Sequence, residues 1–383
     1  METDNRMSKQ SKRELVERVR HRYLHGSRRE KSRILDEFVA VTGMHRKSAI
    51  RTLRQGYQQG RERRGRSPLY SGAVVSALVE VWRVAGGICG KRLAPFVPEL
   101  VAVLERHDEL LLDGETKRLL LAMSAATIDR KLKPWRQQPG RGLSTTRPGT
   151  LLKQSIPVRT FADWDDVVPG FLEIDLVAHC GETTEGRYLH TLTATDVATG
   201  WTECLLLPER GREAVVTALA ALSQRLPFPL LGIDCDNDSA FINFTLKRYC
   251  EDKGITFTRC RPYKKNDQAF VEQKNGNIVR QTVGYRRYTS PAAAVLLEAI
   301  YANLHDYVNF FQPVLKLVSK QRQGARVTKK YDLAQTPHQR VLASPAASPL
   351  SKIRLHHHYW QLNPAALRRQ LDATLKNLWQ LAE

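Results

Sequence analysis

Apolar positions in this chain change their period part-way along it. Through residue 136 they recur at helical spacing. In ELVERVRHRYL, Leu15, Val19 and Tyr23 fall at i, i+4 and i+8, the stripe of an amphipathic helix. KSRILDEFVAVTGMHRKSAIRTLRQG predicts a helix, a tight turn at Thr42-Gly43 and a second helix, with Ile34, Phe38, Val39, Ile50 and Leu53 in the apolar stripe. SGAVVSALVEVWRVAG is strongly apolar and ends at Gly86-Gly87. KRLAPFVPELVAVLERH holds a helix beginning near Pro98, since proline is tolerated in a first turn. ETKRLLLAMSAATIDRKLKPW gives a pair of helices broken near Met123-Ser124. Further on, GFLEIDLVAHC, RYLHTLTATDVA and WTECLLLPE read as strands, the last two joined by a hairpin turn at Thr199-Gly200. REAVVTALAALSQRL is a helix, PLLGIDCD a fourth strand bounded by Pro229, FINFTLKRYCEDKG a helix ending at Gly254, and ITFTRC a fifth strand. NDQAFVEQKNGNIVRQTVG is a helix capped by Asn266 or Asp267, and PAAAVLLEAIYANLHDYVNFF a last helix packing back onto the sheet. The order predicts an α/β sheet that begins with an antiparallel meander.

Between the two regimes lies QQPGRGLSTTRPGTLLKQSIPVRT, rich in Gly, Pro, Ser and Thr and free of acids, which reads as a linker. From about residue 316, KLVSKQRQGARVTKKYDLAQTP is basic and lacks a helical period, so it reads as extended or looped. PAALRRQLDATLKNLWQLA closes the chain as an amphipathic helix. The expected organisation is a helix-turn-helix domain over 1–66, a second helical domain over 67–136, a basic linker over 137–164, the α/β core over 165–315 and a basic C-terminal region over 316–383.

Charge sharpens this picture. The 383 residues carry a net +21, with a pI of about 9.9, which points to a polyanionic partner, nucleic acid before anionic membrane. No run of 18 apolar residues exists and METDNRMSKQSKREL has no apolar signal region, so a cytosolic protein without membrane spans is expected. Residues 1–70 hold 19 Lys and Arg against 8 Asp and Glu, a net +11. The helix edged with Arg46, Lys47, Arg51 and Arg54 suits a recognition helix entering the major groove; the bland alternative is a basic helical hairpin. SAATIDRKL, with Arg130 and Lys131, is either a second recognition helix or part of a bundle. The six cysteines form no C-x-x-C pair, so neither a zinc knuckle nor a disulfide framework is indicated. His356-His357-His358 has no partner ligands nearby and reads as solvated or packed.

The carboxylates carry the chemistry. IDCDNDSAF places Asp234, Asp236 and Asp238 at alternate positions. Counted from Asp234 as a calcium loop, the glycine position is Ser239 and the closing glutamate position Thr245, which excludes an EF-hand. Asp175 lies mid-way along the first strand, Asp236 at the end of the fourth, and Glu272 one turn into the helix after the fifth. In such a sheet the first and fourth strands can be neighbours, and their acids converge with the helix carboxylate. Three converging carboxylates are hard ligands that suit two Mg²⁺ or Mn²⁺ ions rather than zinc. Two ions about 3.5–4 Å apart stabilise both oxygens of an in-line phosphoryl displacement.

Thirty-five residues separate Asp236 from Glu272. With EIDLVAH, DVATGWTE, DNDSAF and RPYKKNDQAFVEQKN, and with NFFQP and TPHQR further on, residues 145–340 resemble the retroviral-integrase-like DDE transposases of bacterial insertion sequences. That resemblance implies an RNase H-like α/β core with a mixed five-stranded sheet, preceded by all-α helix-turn-helix domains and followed by a small C-terminal domain. It implies the triad Asp175, Asp236 and Glu272, two Mg²⁺ with Mn²⁺ able to substitute, and double-stranded DNA as partner. It further implies cutting of transposon ends, joining of the 3′-hydroxyl to target DNA, a homo-oligomer and a bacterial, nucleoid-associated location. One departure stands out. The usual D-N-G reads Asp236-Asn237-Asp238, which replaces a permissive glycine and adds a negative charge beside the metals. A catalytically impaired DNA-binding regulator and an RNase H-like nuclease are the rivals.

Around the triad, Glu272, Gly276 and Arg280 share a helical face at i, i+4 and i+8, so Arg280 is expected to clamp a phosphate. Lys264, Lys265 and Lys274 are further candidates for DNA contact. Gly276 costs a helix roughly 1 kcal/mol relative to Ala, which close approach of DNA or another helix explains. Arg286 and Arg287, between Tyr285 and Tyr288, either contact nucleic acid or end a helix whose tyrosines dock in the core. His179 is either beside the metals or a structural hydrogen-bond partner. Asp196 suits a turn, and Asp234 shares a strand face with Asp236.

Overall fold

The computed structural model describes residues 7–56, 69–70, 72–136, 168–260 and 269–383. They fall into two compact units, Met1–Leu69 and Tyr70–Glu383. The expected linker, the cap at Asn266 or Asp267, and Lys264 and Lys265 lie outside the described residues.

The first unit contains α1 (Lys9–His25), α2 (Arg28–Thr42) and α3 (Arg46–Gln55). Ser27 caps α2 in a capping box with Glu30, satisfying two orphan N–H groups. Gly43, at φ 65°, ends α2 in the left-handed conformation and turns the chain. Val16, Tyr23, Ile34, Leu35, Phe38, Ala49 and Leu53 form its core.

In the second unit, α4 (Gly72–Val84), α5 (Gly90–Leu93), α6 (Val97–Arg106), α7 (Gly114–Leu121) and α8 (Ala125–Leu132) precede the sheet. β1 (Phe171–Ala178), β2 (His190–Asp196) and β3 (Thr202–Leu207) form an antiparallel meander. Then follow α9 (Arg212–Arg225), β4 (Gly232–Cys235), α10 (Phe244–Lys253) and β5 (Thr256–Arg259). The strand order is β3-β2-β1-β4-β5, with β4 parallel to β1 and β5 parallel to β4. This is the mixed sheet of an RNase H-like core.

Next come α11 (Ala269–Lys274), a π-helical segment (Asn275–Arg280), α12 (Gln281–Val283) and α13 (Pro291–Phe311). The π segment corrects the continuous α-helix expected here. Its wider turn breaks the i, i+4, i+8 spacing, so Glu272, Gly276 and Arg280 do not stay on one face. β6 (Leu317–Gln323) and β7 (Arg326–Tyr331) pair as an antiparallel hairpin. α14 (Pro337–Ala343), α15 (Pro349–Gln361) and α16 (Pro364–Gln380) end the chain, so the C-terminal region is more helical than its sequence suggested.

Both sheet faces are covered. Leu172 and Ile174 of β1, Leu205 and Leu207 of β3, and Ile233 and Cys235 of β4 join α9, α10 and the helices α4 to α8 in one core. Val177 and Cys204 point the other way, towards the π segment, α13 and α16. Each fully buried Leu, Ile or Val contributes roughly 1.5–3 kcal/mol. The helical block and the sheet therefore share a core. Polar bridges reinforce the joint: Tyr307 Oη donates to the Val84 carbonyl at 2.6 Å, and Arg92 Nε to that of Pro313 at 2.6 Å. No helix among the described residues is long and apolar enough to cross a membrane.

Candidate active site

Strand alternation decides which carboxylates meet. Positions 173, 175 and 177 leave β1 on the face opposite Leu172 and Ile174. On β4, Asp234 leaves opposite Ile233 and Cys235, and Asp236 follows it one step past the strand. The parallel register matches Glu173 with Asp234, and its continuation brings Asp175 beside Asp236. Helix α11 lies on the same face. The Val271 N–H donates to Glu173 Oε2 at 2.8 Å, and Asn275 Nδ2 donates to Asp175 Oδ2 at 2.6 Å. Glu173 is fully buried, so this bond docks the first turn of α11, and with it Glu272, against β1.

The electrostatics agree with this convergence. Burial, then the charge of Asp236, pushes Asp175 up to about 8, with Glu272 and Asp238 adding to the rise. Burial, with Asp238 and Glu272 adding, pushes Asp236 up to about 6 against the Asp238 N–H and Arg210. Asp175 and Asp236 keep partial exposure and Glu272 is exposed, so the acids line an accessible edge. Carboxylates that resist joint ionisation at an open edge fit a hard divalent cation in donor type and in charge. Among the described residues, no group of three His, Cys, Asp or Glu is yet gathered at coordination geometry.

Asp238 has a specific local role. Its Oδ1 accepts the Ala240 N–H at 2.8 Å, its own N–H donates to Asp236 Oδ1 at 2.9 Å, and its carboxylate pairs with Arg210. Asp238 does not need glycine's freedom, because among described non-glycine residues only Asp108 has a left-handed φ. The added charge is also countered, by Arg210. Sequence reasoning missed Arg210, Glu173 and Asn275. Glu173 was legible as the alternate position before Asp175; nothing local marks Arg210.

The neighbouring acids and histidine are structural. Asp196 Oδ2 accepts from the Thr199 N–H at 2.7 Å and from its hydroxyl at 2.6 Å, and Oδ1 accepts the Gly170 N–H at 2.8 Å, which is a turn role. Thr258 Oγ1 donates to Asp234 Oδ1 at 2.6 Å. His179 lies buried against Thr191 Oγ1 at 2.7 Å and Tyr301 Oη at 3.2 Å, and burial lowers its pKa to about 3. His358, half-buried, meets Asp306 at 2.7 Å, whereas His356 and His357 are exposed, His356 accepting from Trp360 Nε1 at 3.1 Å.

The expected DNA-contacting cations divide into two groups. Arg46, Lys47, Arg51 and Arg54 are exposed on α3, with Arg46 also paired to Asp36. Lys274, Arg280, Arg286 and Arg287 are instead engaged by the fold. Lys274 is buried, its Nζ 3.3 Å from the Gly200 carbonyl, and burial lowers its pKa to about 7. Arg280 donates to the Ala178 carbonyl at 2.8 Å and lies over Tyr285. Arg286 reaches the Trp379 carbonyl at 3.0 Å. Arg287 donates to the carbonyls of Cys180, Thr183, Glu185 and Arg187, which staples the loop after β1. Tyr288 is buried in the core, whereas Tyr285 is exposed.

A sheet of this order with these acids defines an integrase-type core. Residues 167–265 match the integrase core domain family; the match spans Asp175 and Asp236 and ends before Glu272. The chain belongs to one family with an uncharacterized protein, y4rM, of Sinorhizobium fredii (strain NBRC 101917 / NGR234), to which it is 46% identical over 328 residues, 85% of this chain and 93% of that one, and it carries the integrase core domain of RNase H-like integrases and transposases. The catalytic core domain of BIV integrase is a structural match at 18% identity and a TM-score of 0.29, covering 50% of this chain and 99% of that one.

Proposed function

We propose that the chain is a DDE transposase that cuts the ends of a mobile element and joins the 3′-hydroxyl to target DNA. The observation that supports this reading is the electrostatic influence among Asp175, Asp236 and Glu272 beside the sheet: the charges of Asp236 and Glu272 raise Asp175, and that of Glu272 raises Asp236. These three carboxylates would hold two Mg²⁺, with Mn²⁺ able to substitute. When bound, the ions supply Lewis-acid stabilisation of the attacking and leaving oxygens. The chain's own residues prepare that site. Asn275 orients Asp175, Glu173 docks the helix that carries Glu272, and the Asp238 N–H fixes Asp236.

The first unit recognises the element ends, with α3 in the major groove and Arg46, Lys47, Arg51 and Arg54 towards DNA. Lys264 and Lys265 add phosphate contacts. Two ends must be held together, so the active form is a homo-oligomer in the bacterial nucleoid. The test is incubation with duplexes copying the DNA that flanks the gene, plus plasmid, in Mg²⁺ and then Mn²⁺. Joined products are expected. Cutting without joining marks a nuclease, and binding without cutting in either metal marks a regulator.

Two substitutions probe the surroundings. Asp238→Gly is expected to lower stability by about 2 kcal/mol, because it removes a charge-assisted turn bond. Joining activity is expected to persist, since loss of a negative neighbour favours ionised Asp236. Denaturant melts and the joining assay read the two effects. At Gly276 an added Cβ meets no heavy atom within 4 Å. Gly276→Ala is therefore expected to stabilise the free protein by up to about 1 kcal/mol. If DNA approaches this backbone closely, the same variant loses joining activity despite its higher melting temperature. Unchanged activity would show that the open space stays open in the complex.

A further inference from the structure

The β6–β7 hairpin has an unusual surface. Between residues 317 and 331 the chain carries five cations, Lys320, Arg322, Arg326, Lys329 and Lys330, and no acid. Every residue of both strands except Leu317 is exposed, so neither face of the ribbon packs on the body. A two-stranded ribbon alone is marginal in water. This one is fixed at its root. Val314 and Gln335 exchange backbone bonds at 2.7 and 3.2 Å, the Lys316 N–H donates to Asp332 Oδ1 at 2.7 Å, and Arg340 holds both the Val314 carbonyl and Asp332. At the tip, Gly324 adopts φ 58° at the first position of a two-residue turn, where glycine is favoured.

The register points to a ligand. Lys320 lies directly opposite Lys329, and Arg322 is the next residue on that face, opposite Val327. Like charges directly opposite in a ladder are destabilising, and none of the five cations forms an ion pair with a described residue. An anion lying along the ribbon relieves this repulsion. A second copy of the chain is the poorer match, because it brings the same cationic ribbon and a net +21.

We infer that the β6–β7 hairpin is an arm that binds duplex DNA, laying Lys320, Arg322 and Lys329 against the phosphates bordering a groove. A two-stranded ribbon fits the major groove of B-form DNA, and seven residues at about 3.3 Å each reach roughly 20 Å across it. The choice of DNA among polyanions rests on the function proposed above.

The test uses the full chain with Lys320→Gln, Arg322→Gln and Lys329→Gln combined. Its reference is a variant that removes as many cations from α10, at Lys247, Arg248 and Lys253. Affinity for a generic duplex is measured across a salt series by fluorescence anisotropy. Each lost phosphate contact lowers the slope of log K against log salt by about 0.9, so the hairpin variant is expected to lose about 2–3 from the slope and on the order of 10–100-fold in affinity at physiological salt. Its melting temperature without DNA is expected to stay equal or rise, as the Lys320–Lys329 repulsion is gone. An unchanged slope, an equal fall in the α10 variant, a lower melting temperature, or a loss confined to RNA or single strands overturns the proposal. An unchanged slope in the hairpin variant of a protein whose wild type joins DNA ends refutes the arm alone. A reduced slope in the hairpin variant of a protein whose wild type joins nothing refutes the transposase reading alone.

Discussion

Asp236→Asn and Glu272→Gln are each expected to reduce the joining of DNA ends by on the order of 10³-fold or more, equivalent to about 4 kcal/mol of lost transition-state stabilisation. Duplex affinity is expected to stay within about twofold, because α3 and the hairpin are remote in sequence from both positions. Each change keeps side-chain volume and hydrogen-bonding capacity but removes one charge. The asparagine can still accept the Asp238 N–H that Asp236 Oδ1 now accepts at 2.9 Å, so the turn survives. Glu272 is exposed, and glutamine there disturbs no packing. What is lost is a hard anionic ligand, which a neutral amide does not replace for Mg²⁺. Single-turnover joining assays beside anisotropy binding curves read both quantities. Full joining in either variant would sink the triad assignment.

Asp175 and Asp236 are expected to subtract stability from the metal-free protein as pH rises from about 4 to about 8. Asp175 titrates near 8 and Asp236 near 6 in the folded chain, against an ordinary value of 3.8. Between those limits these two carboxyls hold more protons in the folded state than in the unfolded one, so their contribution to the free energy of unfolding falls with rising pH. The burial that raises Asp175, and the charge of Asp236 beside it, penalise its ionised form. Asp175→Asn removes that penalty. It is expected to stabilise the metal-free protein at pH 8 by on the order of 1–3 kcal/mol, below the full linkage value because the carboxylate keeps partial contact with water. At pH 4, where the carboxyl is already neutral, the gain is expected to vanish. Mg²⁺ is expected to raise the wild-type melting temperature more at pH 8 than at pH 5, and to raise that of the variant less. Calorimetric scans across pH and metal check all of these. A pH-independent difference between wild type and variant contradicts the picture of crowded carboxylates.

The strands, and the adjacency of Asp175 and Asp236, were legible in sequence because each had a local signal. Strand alternation placed Asp175 and Asp236, and strand order made β1 and β4 neighbours. The hairpin was not legible as strands. Both its faces meet solvent, so polar residues fill both sets of alternate positions and the period-2 apolar signal is absent. The π segment escaped for a different reason: QKNGNIVR reads as a plausible α-helix, and the Asn275 bond to Asp175 that accompanies its first turn is long-range. That Lys274, Arg280, Arg286 and Arg287 also hydrogen-bond backbone carbonyls was not legible, because composition shows charge but not partners. Their carbonyl acceptors lie 74 to 107 positions away in the sequence. Helix α14 had a readable signal that was passed over. Thr336 and Gln339 form a capping box, the T-x-x-Q pattern within TPHQR.

The central claim is that three acids on one sheet face serve a reaction in which a DNA 3′-hydroxyl attacks a phosphodiester. The most direct test measures covalently joined product from gene-flanking duplexes that end in a 3′-hydroxyl or in a 3′-deoxy nucleotide, with plasmid target and Mg²⁺. The expected result is joined product from the hydroxyl end, none from the deoxy end, and none from either with Asp236→Asn. No joined product from a wild-type protein that binds both duplexes would contradict the account.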